Sequence, residues 1–211
     1  GGSFGQFVFA PFTQAVISVA GWAAGMWALA AAAMATLPLA WPLRGRKAPA
    51  RVAVDAHRDD AGLSSQLRIA FRDRSYWLLH LGFFTCGFHI AFLVTHLPTE
   101  IALCGLTERV SASALALIGL FNVGGSIGIG WLGRHYRMKW LLALMYASRA
   151  LLIALYLVLP PTPLVFYGFA AGLGLTWLAT VPPTAGIIGK LFGPRYLATL
   201  FGFTLFSHQV G

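Results

Sequence analysis

Apolar residues run along this chain in long blocks separated by short polar breaks. Seven blocks stand out, at about 3–19, 22–43, 76–97, 111–132, 140–159, 164–188 and 196–211. Most are near the roughly 20 residues a helix needs to cross a hydrocarbon core of about 30 Å. The breaks are Gly21-Trp22, the polar stretch 44–75, Pro98–Val110, Gly133–Lys139, Pro160–Pro163 and Gly189–Arg195. The pattern predicts an all-α integral membrane protein. The last block, from about Tyr196, is short for a full crossing, and the chain reads as a fragment.

Composition strengthens this picture. Of 211 residues, 58% are hydrophobic and 10% charged, against about 25% charged in soluble domains. Mean hydropathy is +0.73. Too few polar side chains are present to cover a water-facing surface of this size.

Charge then orients the spans. The net charge is +9, which on its own would suggest nucleic acid, but the basic residues do not form one contiguous face. Eight of the 15 lie between Arg44 and Arg74, three in Arg134–Lys139, and two are Lys190 and Arg195. These connections alternate with others that carry only Arg109. Basic connections kept on the cytoplasmic side predict that the first visible span runs outward. Within 44–75, Leu67, Ile69, Ala70 and Phe71 interleave with Arg68, Arg72 and Arg74, which predicts a short amphipathic helix at the headgroups.

Candidate chemistry sits on polar residues inside the spans. Arg149 lies mid-span, where an arginine costs about 2.5–3.5 kcal/mol on insertion scales. It reads either as an anion-binding or gating cation, or as a structural donor to carbonyls. Thr85, His89 and His96 share one helical face, as a cavity lining or as bonds to neighbouring helices. Asn122 and Ser126 are four apart, as are Thr176, Thr180 and Thr184. Thr204 and His208 repeat that spacing with Gln209 adjoining, and Gln6, Thr13 and Gln14 offer a further polar face. Gly124 and Gly128, four apart, predict close approach of helix backbones. Pro182-Pro183 predicts a kink near the inner end of the sixth span.

Two matches to enzyme motifs lack their context. Gly1-Gly2-Ser3-Phe4-Gly5 fits G-x-S-x-G without a strand and sharp turn. Gly128–Gly133 fits G-x-G-x-x-G but closes a helix where a dinucleotide loop would open one. Cys86 and Cys104 form no disulfide framework or metal motif. No catalytic residue, metal site or cofactor is expected. The six acidic residues all lie outside the centres of the spans, so any proton coupling in this region falls to histidine.

Several stretches together resemble the major facilitator superfamily (MFS), in particular bacterial monocarboxylate and oxalate–formate-type carriers. They are FFTCGFHIAFLVTHLP at Phe83–Pro98, IGLFNVGGSIGIGWLG at Ile118–Gly133, GLGLTWLATVPPT at Gly172–Thr184, and the LATLFGFTLFSHQVG terminus. The resemblance implies a partial MFS bundle, about seven of twelve helices. Residues 1–43 would be the last two helices of the N-terminal half. Residues 44–75 would be the cytoplasmic central linker, and 76–211 a C-terminal half truncated in its fifth helix. In the family's Gly-x-Leu-x-Asp-Arg loop, Gly130 and Leu132 fit, while Arg134 and His135 stand at the Asp and Arg places. Where oxalate-type carriers have basic residues, this chain has Asn122, and His208 with Gln209.

The function implied is secondary transport of a small solute, an organic anion such as a monocarboxylate, by alternating access, with proton coupling open. Hydrogen bonding falls to Asn122, Thr180 and Gln209, pH-sensitive binding to His89 and His208, and charge support to Arg149. The setting implied is a multi-pass protein of the inner (plasma) membrane, in contact with the lipid bilayer and without nucleic acid; the oligomeric state stays open, with a monomer expected. Two other classes remain open: a non-transporting sensor or assembly protein on a carrier fold, and an integral-membrane enzyme.

Overall fold

The computed structural model describes residues 2–36 and 62–211. Residues 37–61 lie outside the described part, and with them the end of the second predicted span and most of the polar linker. Two units divide the chain, Phe12–Gly62 on one side and Gly1–Pro11 with Leu63–Gly211 on the other. Among the described residues the regular structure is entirely helical.

The first helical stretch, α1 (Gly2–Met34), is two helices joined at Gly21, whose φ of 82° and ψ of 171° lie outside the helical region. Only glycine reaches that φ without steric cost. In the unit Phe12–Gly62, Gly25 packs against Thr13 and Ile17. Residues eight apart on a straight helix would be about 12 Å apart. The chain therefore reverses at Gly21, where the sequence places a connection between two spans.

The larger unit begins with the short amphipathic helix α2 (Leu63–Arg72), which buries Ala70. The next helix, α3 (Arg74–Leu103), is capped by Asp73, whose carboxylate accepts the Ser75 and Tyr76 amide N–H groups. It runs through Pro98, so it extends beyond the predicted end at residue 97. Then come α4 (Glu108–Leu132), α5 (Met138–Val158), α6 (Pro163–Thr176), a 3-10 turn at Leu178–Thr180, α7 (Val181–Phe192) and α8 (Leu197–Val210). Helix α6 starts at a proline, where the missing N–H needs no partner, and the Thr162 hydroxyl oxygen accepts the Val165 N–H.

The bundle packs α4 against α6 and α3 against α8 most extensively, with α5 against α6. Glycines allow these contacts. A Cβ on Gly125 would collide with the Leu175 backbone and one on Gly174 with Ile118, while Gly87 sits against the backbone of His208. The close approach thus uses Gly125 and Gly174, rather than the Gly124 and Gly128 pair, which meets nothing nearby among the described residues. The G-x-G-x-x-G stretch closes α4 and opens no dinucleotide loop.

One face of each long helix remains exposed and apolar. On α5, Leu144, Leu151, Leu157 and Val158 are all more than half exposed. The buried positions on that helix form a single stripe of Leu141, Leu142, Met145 and Arg149. Large exposed apolar surface around a narrow buried seam is what a multi-pass membrane protein presents to lipid.

Candidate functional site

The buried stripe of α5 carries Arg149 into the bundle, where it is 1% exposed. It arrives at a discontinuity. The sixth span is two half-helices, with α6 ending at Thr176 and α7 starting at Val181. Pro182 and Pro183 occupy the first turn of α7, where the absent donors cost nothing. The break therefore precedes the prolines and falls mid-span, not near the inner end as the sequence suggests.

Backbone bonding shows what the break releases. The Trp177 N–H donates to Gly174 O at 3.3 Å and the Thr180 N–H to Trp177 O at 3.3 Å. Both are three-residue bonds that replace the four-residue ladder. Thr176 O thereby loses its natural donor, the Thr180 N–H, and the Leu178 N–H loses its natural acceptor, Gly174 O. A buried backbone group left unpaired costs about 1–3 kcal/mol, and no bulk water reaches the inside of a membrane.

Side chains from two other spans take up both groups. Arg149 Nη2 donates to Thr176 O at 2.7 Å, and Asn122 Oδ1 accepts the Leu178 N–H at 2.9 Å. Asn122 is 2% exposed and Thr180 1%. The Thr180 hydroxyl donates to Trp177 O at 2.9 Å, within the break itself. Three of the six residues picked out from sequence thus converge on Thr176–Thr180.

The other Arg149 contacts extend toward α3. Nη1 donates to Cys86 Sγ at 3.1 Å, and the guanidinium lies 5.9 Å from the centroid of the Tyr146 ring. These hydrogen bonds go to a thiol and a carbonyl, and neither goes to a carboxylate. Arg149 Nε, Tyr146 Oη, His89 Nδ1 and His208 Nδ1 are buried without a hydrogen-bond partner among the described residues. Tyr146 lies beneath the Arg149 guanidinium, His89 stands one helical turn from its acceptor Cys86, and the His208 backbone packs on Gly87 beside that cysteine. His208 also packs its ring edge-on to Phe83 at 5.8 Å. Gln209 is exposed on α8 and does not join this buried group. Unfilled polar atoms beside a fixed cation form a setting suited to an anionic group.

Sequence reasoning passed over two participants. Cys86, which belongs to no disulfide framework or metal motif, accepts from Arg149, 63 positions away. Tyr146 lies one helical turn from Arg149, so the spacing alone would have placed it beside the guanidinium. Thr176, Thr184 and Thr204 each donate to a carbonyl of their own segment.

A family model described as Major Facilitator Superfamily matches residues 1–211. The chain belongs to the Major Facilitator Superfamily. Among curated proteins, an uncharacterized MFS-type transporter, YcxA of Bacillus subtilis (strain 168), is 24% identical over 213 residues, covering 99% of this chain and 52% of the relative. The chain spans about half the length of this superfamily relative. No solved structure matches it.

Proposed function

We propose that this chain is part of a secondary carrier of the inner (plasma) membrane that moves a small organic anion, such as a monocarboxylate, by alternating access. The observation that carries this reading is Arg149: a buried cation with no carboxylate on it among the described residues, bonded to the freed carbonyl of a discontinuous span. Discontinuous helices at mid-membrane are where carriers place solute sites, because the unwound backbone can be satisfied by a cavity. Family membership and the MFS-type relative support transport over enzyme chemistry. The uncompensated charge favours an anion over a cation or a neutral solute.

Roles follow from placement. Arg149 supplies the attractive charge and holds the break, and Asn122 and Thr180 shape the unwound backbone. His89 and His208 flank the charge and are the groups able to take up a proton with the solute. Gln209 would act only from the exposed side of α8.

The test is uptake by the full-length carrier in proteoliposomes, with radiolabelled monocarboxylates, dicarboxylates and a neutral sugar, with and without an inward proton gradient. Monocarboxylate uptake should fall at least about tenfold in Arg149→Gln, the loss of one strong charge-assisted contact, and fall in His89→Ala and Asn122→Ala. Uptake of the sugar alone, or acid uptake untouched in Arg149→Gln, would remove the anion reading.

A further inference from the structure

A second polar site lies far along α3 from the break. Phe88, Phe92, His96 and Glu100 recur every four residues and so form one stripe on that helix. The Phe88 and Phe92 rings stack at 6.1 Å, and the Phe92 and His96 rings follow at 4.7 Å. Beside the stripe is a cavity of about 300 Å³, lined by Phe92, His96, Glu100, Tyr156, Leu157 and Phe169. Phe92 is 52% and Leu157 76% exposed, so the cavity opens on the apolar face of the bundle. His96 and Glu100 are exposed as well.

We propose that this groove binds the headgroup of a zwitterionic phospholipid in the leaflet opposite the basic connections. The order of groups along α3 matches the order of groups in the lipid. Moving away from the Arg74 end, the stripe is first apolar, then carries a ring N–H donor, then a carboxylate. A phospholipid on the same path presents acyl chain, phosphate and ammonium. The His96 N–H donates to phosphate, and Glu100 takes the ammonium one turn further on, about 6 Å along the axis. Tyr156 and Phe169, with rings 4.5 Å apart, supply aromatic faces beside that carboxylate. Glu100 and Tyr156 line the same cavity. An anionic headgroup would set its net charge against Glu100, and a soluble cation would leave the apolar part of the stripe uncovered.

The experiment uses the full-length protein, reconstituted in vesicles of phosphatidylethanolamine, phosphatidylcholine and phosphatidylglycerol in equal parts, then extracted and examined for retained lipid by native mass spectrometry. The zwitterionic lipids should be enriched over phosphatidylglycerol by about threefold or more, the size of one exposed cation–π contact. Glu100→Gln should abolish that enrichment, and Glu100→Lys should turn it toward phosphatidylglycerol. Glu100 is exposed, so neither change should alter the melting temperature. Absence of enrichment, or enrichment that survives Glu100→Gln, overturns the proposal; a further span of the longer protein lying over the groove would give that result.

Discussion

The spans Arg74–Leu103 and Pro163–Phe192 each have 30 residues and contain an 18-residue stretch with a mean hydropathy of 1.7, and each contains proline beyond its first turn. One is a continuous helix, and the other breaks into two half-helices around a 3-10 turn. Length and hydropathy are therefore silent on continuity. What differs is the depth of the proline and the company it keeps. Pro98 is close to the end of α3, where the carbonyl it leaves without a donor is near the edge of the span. The turn that precedes Pro182 and Pro183 stands deeper, so the backbone groups it releases must be satisfied from inside the protein. Arg149 and Asn122 do this from two other spans.

The largest expected effect comes from removing the main support of the broken span. Arg149→Met should lower stability by about 1–3 kcal/mol, because Thr176 O loses its donor in a buried position. The check is a thermal melt in detergent. Arg149→Lys should recover only part of the loss, since an ammonium cannot span Thr176 and Cys86 as the planar guanidinium fork does. A melt unchanged in Arg149→Met would mean that the break is held by packing alone.

Asn122→Ala comes next. It removes one neutral bond, and the expected loss is about 1 kcal/mol. Its sharper signature is local. Amide exchange should accelerate in the peptide that contains Leu178, while peptides from α3 keep wild-type rates. Uniform acceleration across both spans would show that Asn122 serves the whole bundle.

How much of this contrast was legible in the sequence depends on what kind of force set each feature. Burial and lipid exposure act over whole segments, so the apolar blocks located the spans, and Gly21 marked the reversal between the first two. Pro182-Pro183 announced an interruption but not its position. The prolines fit the first turn of α7, and the disruption moved upstream, to Thr176–Thr180. Gly124 and Gly128 had the spacing of a packing motif, yet Gly125 and Gly174 make the contact, because interhelical geometry decides which face of α4 meets α6. Asn122, Thr180 and Arg149 were visible as polar residues in apolar runs. Their shared destination was not, since pairing across 56 or 27 positions leaves no local periodic trace.

A coupled experiment tests cause more directly than any single change. If the prolines create the need that Arg149 meets, restoring the helix should make Arg149 less important. In Pro182→Ala/Pro183→Ala the new N–H groups can rebuild the ladder, and Thr176 O can regain Thr180 as donor. Arg149→Met should then cost about 1 kcal/mol less in that background than in the wild type, an ordinary coupling for groups sharing one network. Exact additivity would mean that the break is imposed by the packing of Trp177 or by the Arg149 contact itself, and that the prolines merely tolerate it.

The smallest effect is expected where the comparison predicts none. Pro98→Ala adds an N–H within hydrogen-bond reach of Val94 O and brings a residue of better intrinsic helix propensity. An ordinary interior proline should therefore be costly, and its removal should stabilise the helix markedly. Here α3 already continues through Pro98 to Leu103, and the residue lies in the last two turns, with Glu100 exposed just beyond it. The Val94 carbonyl has the edge of the span for company instead of a sealed interior. The expected change is within about 0.5 kcal/mol, the range of substitutions away from buried polar networks, with exchange rates in the Leu178 peptide unaltered. A stabilisation of several kcal/mol would show that Pro98 strains its span as the tandem prolines do theirs, and depth in the membrane would no longer explain why one helix is whole and the other broken.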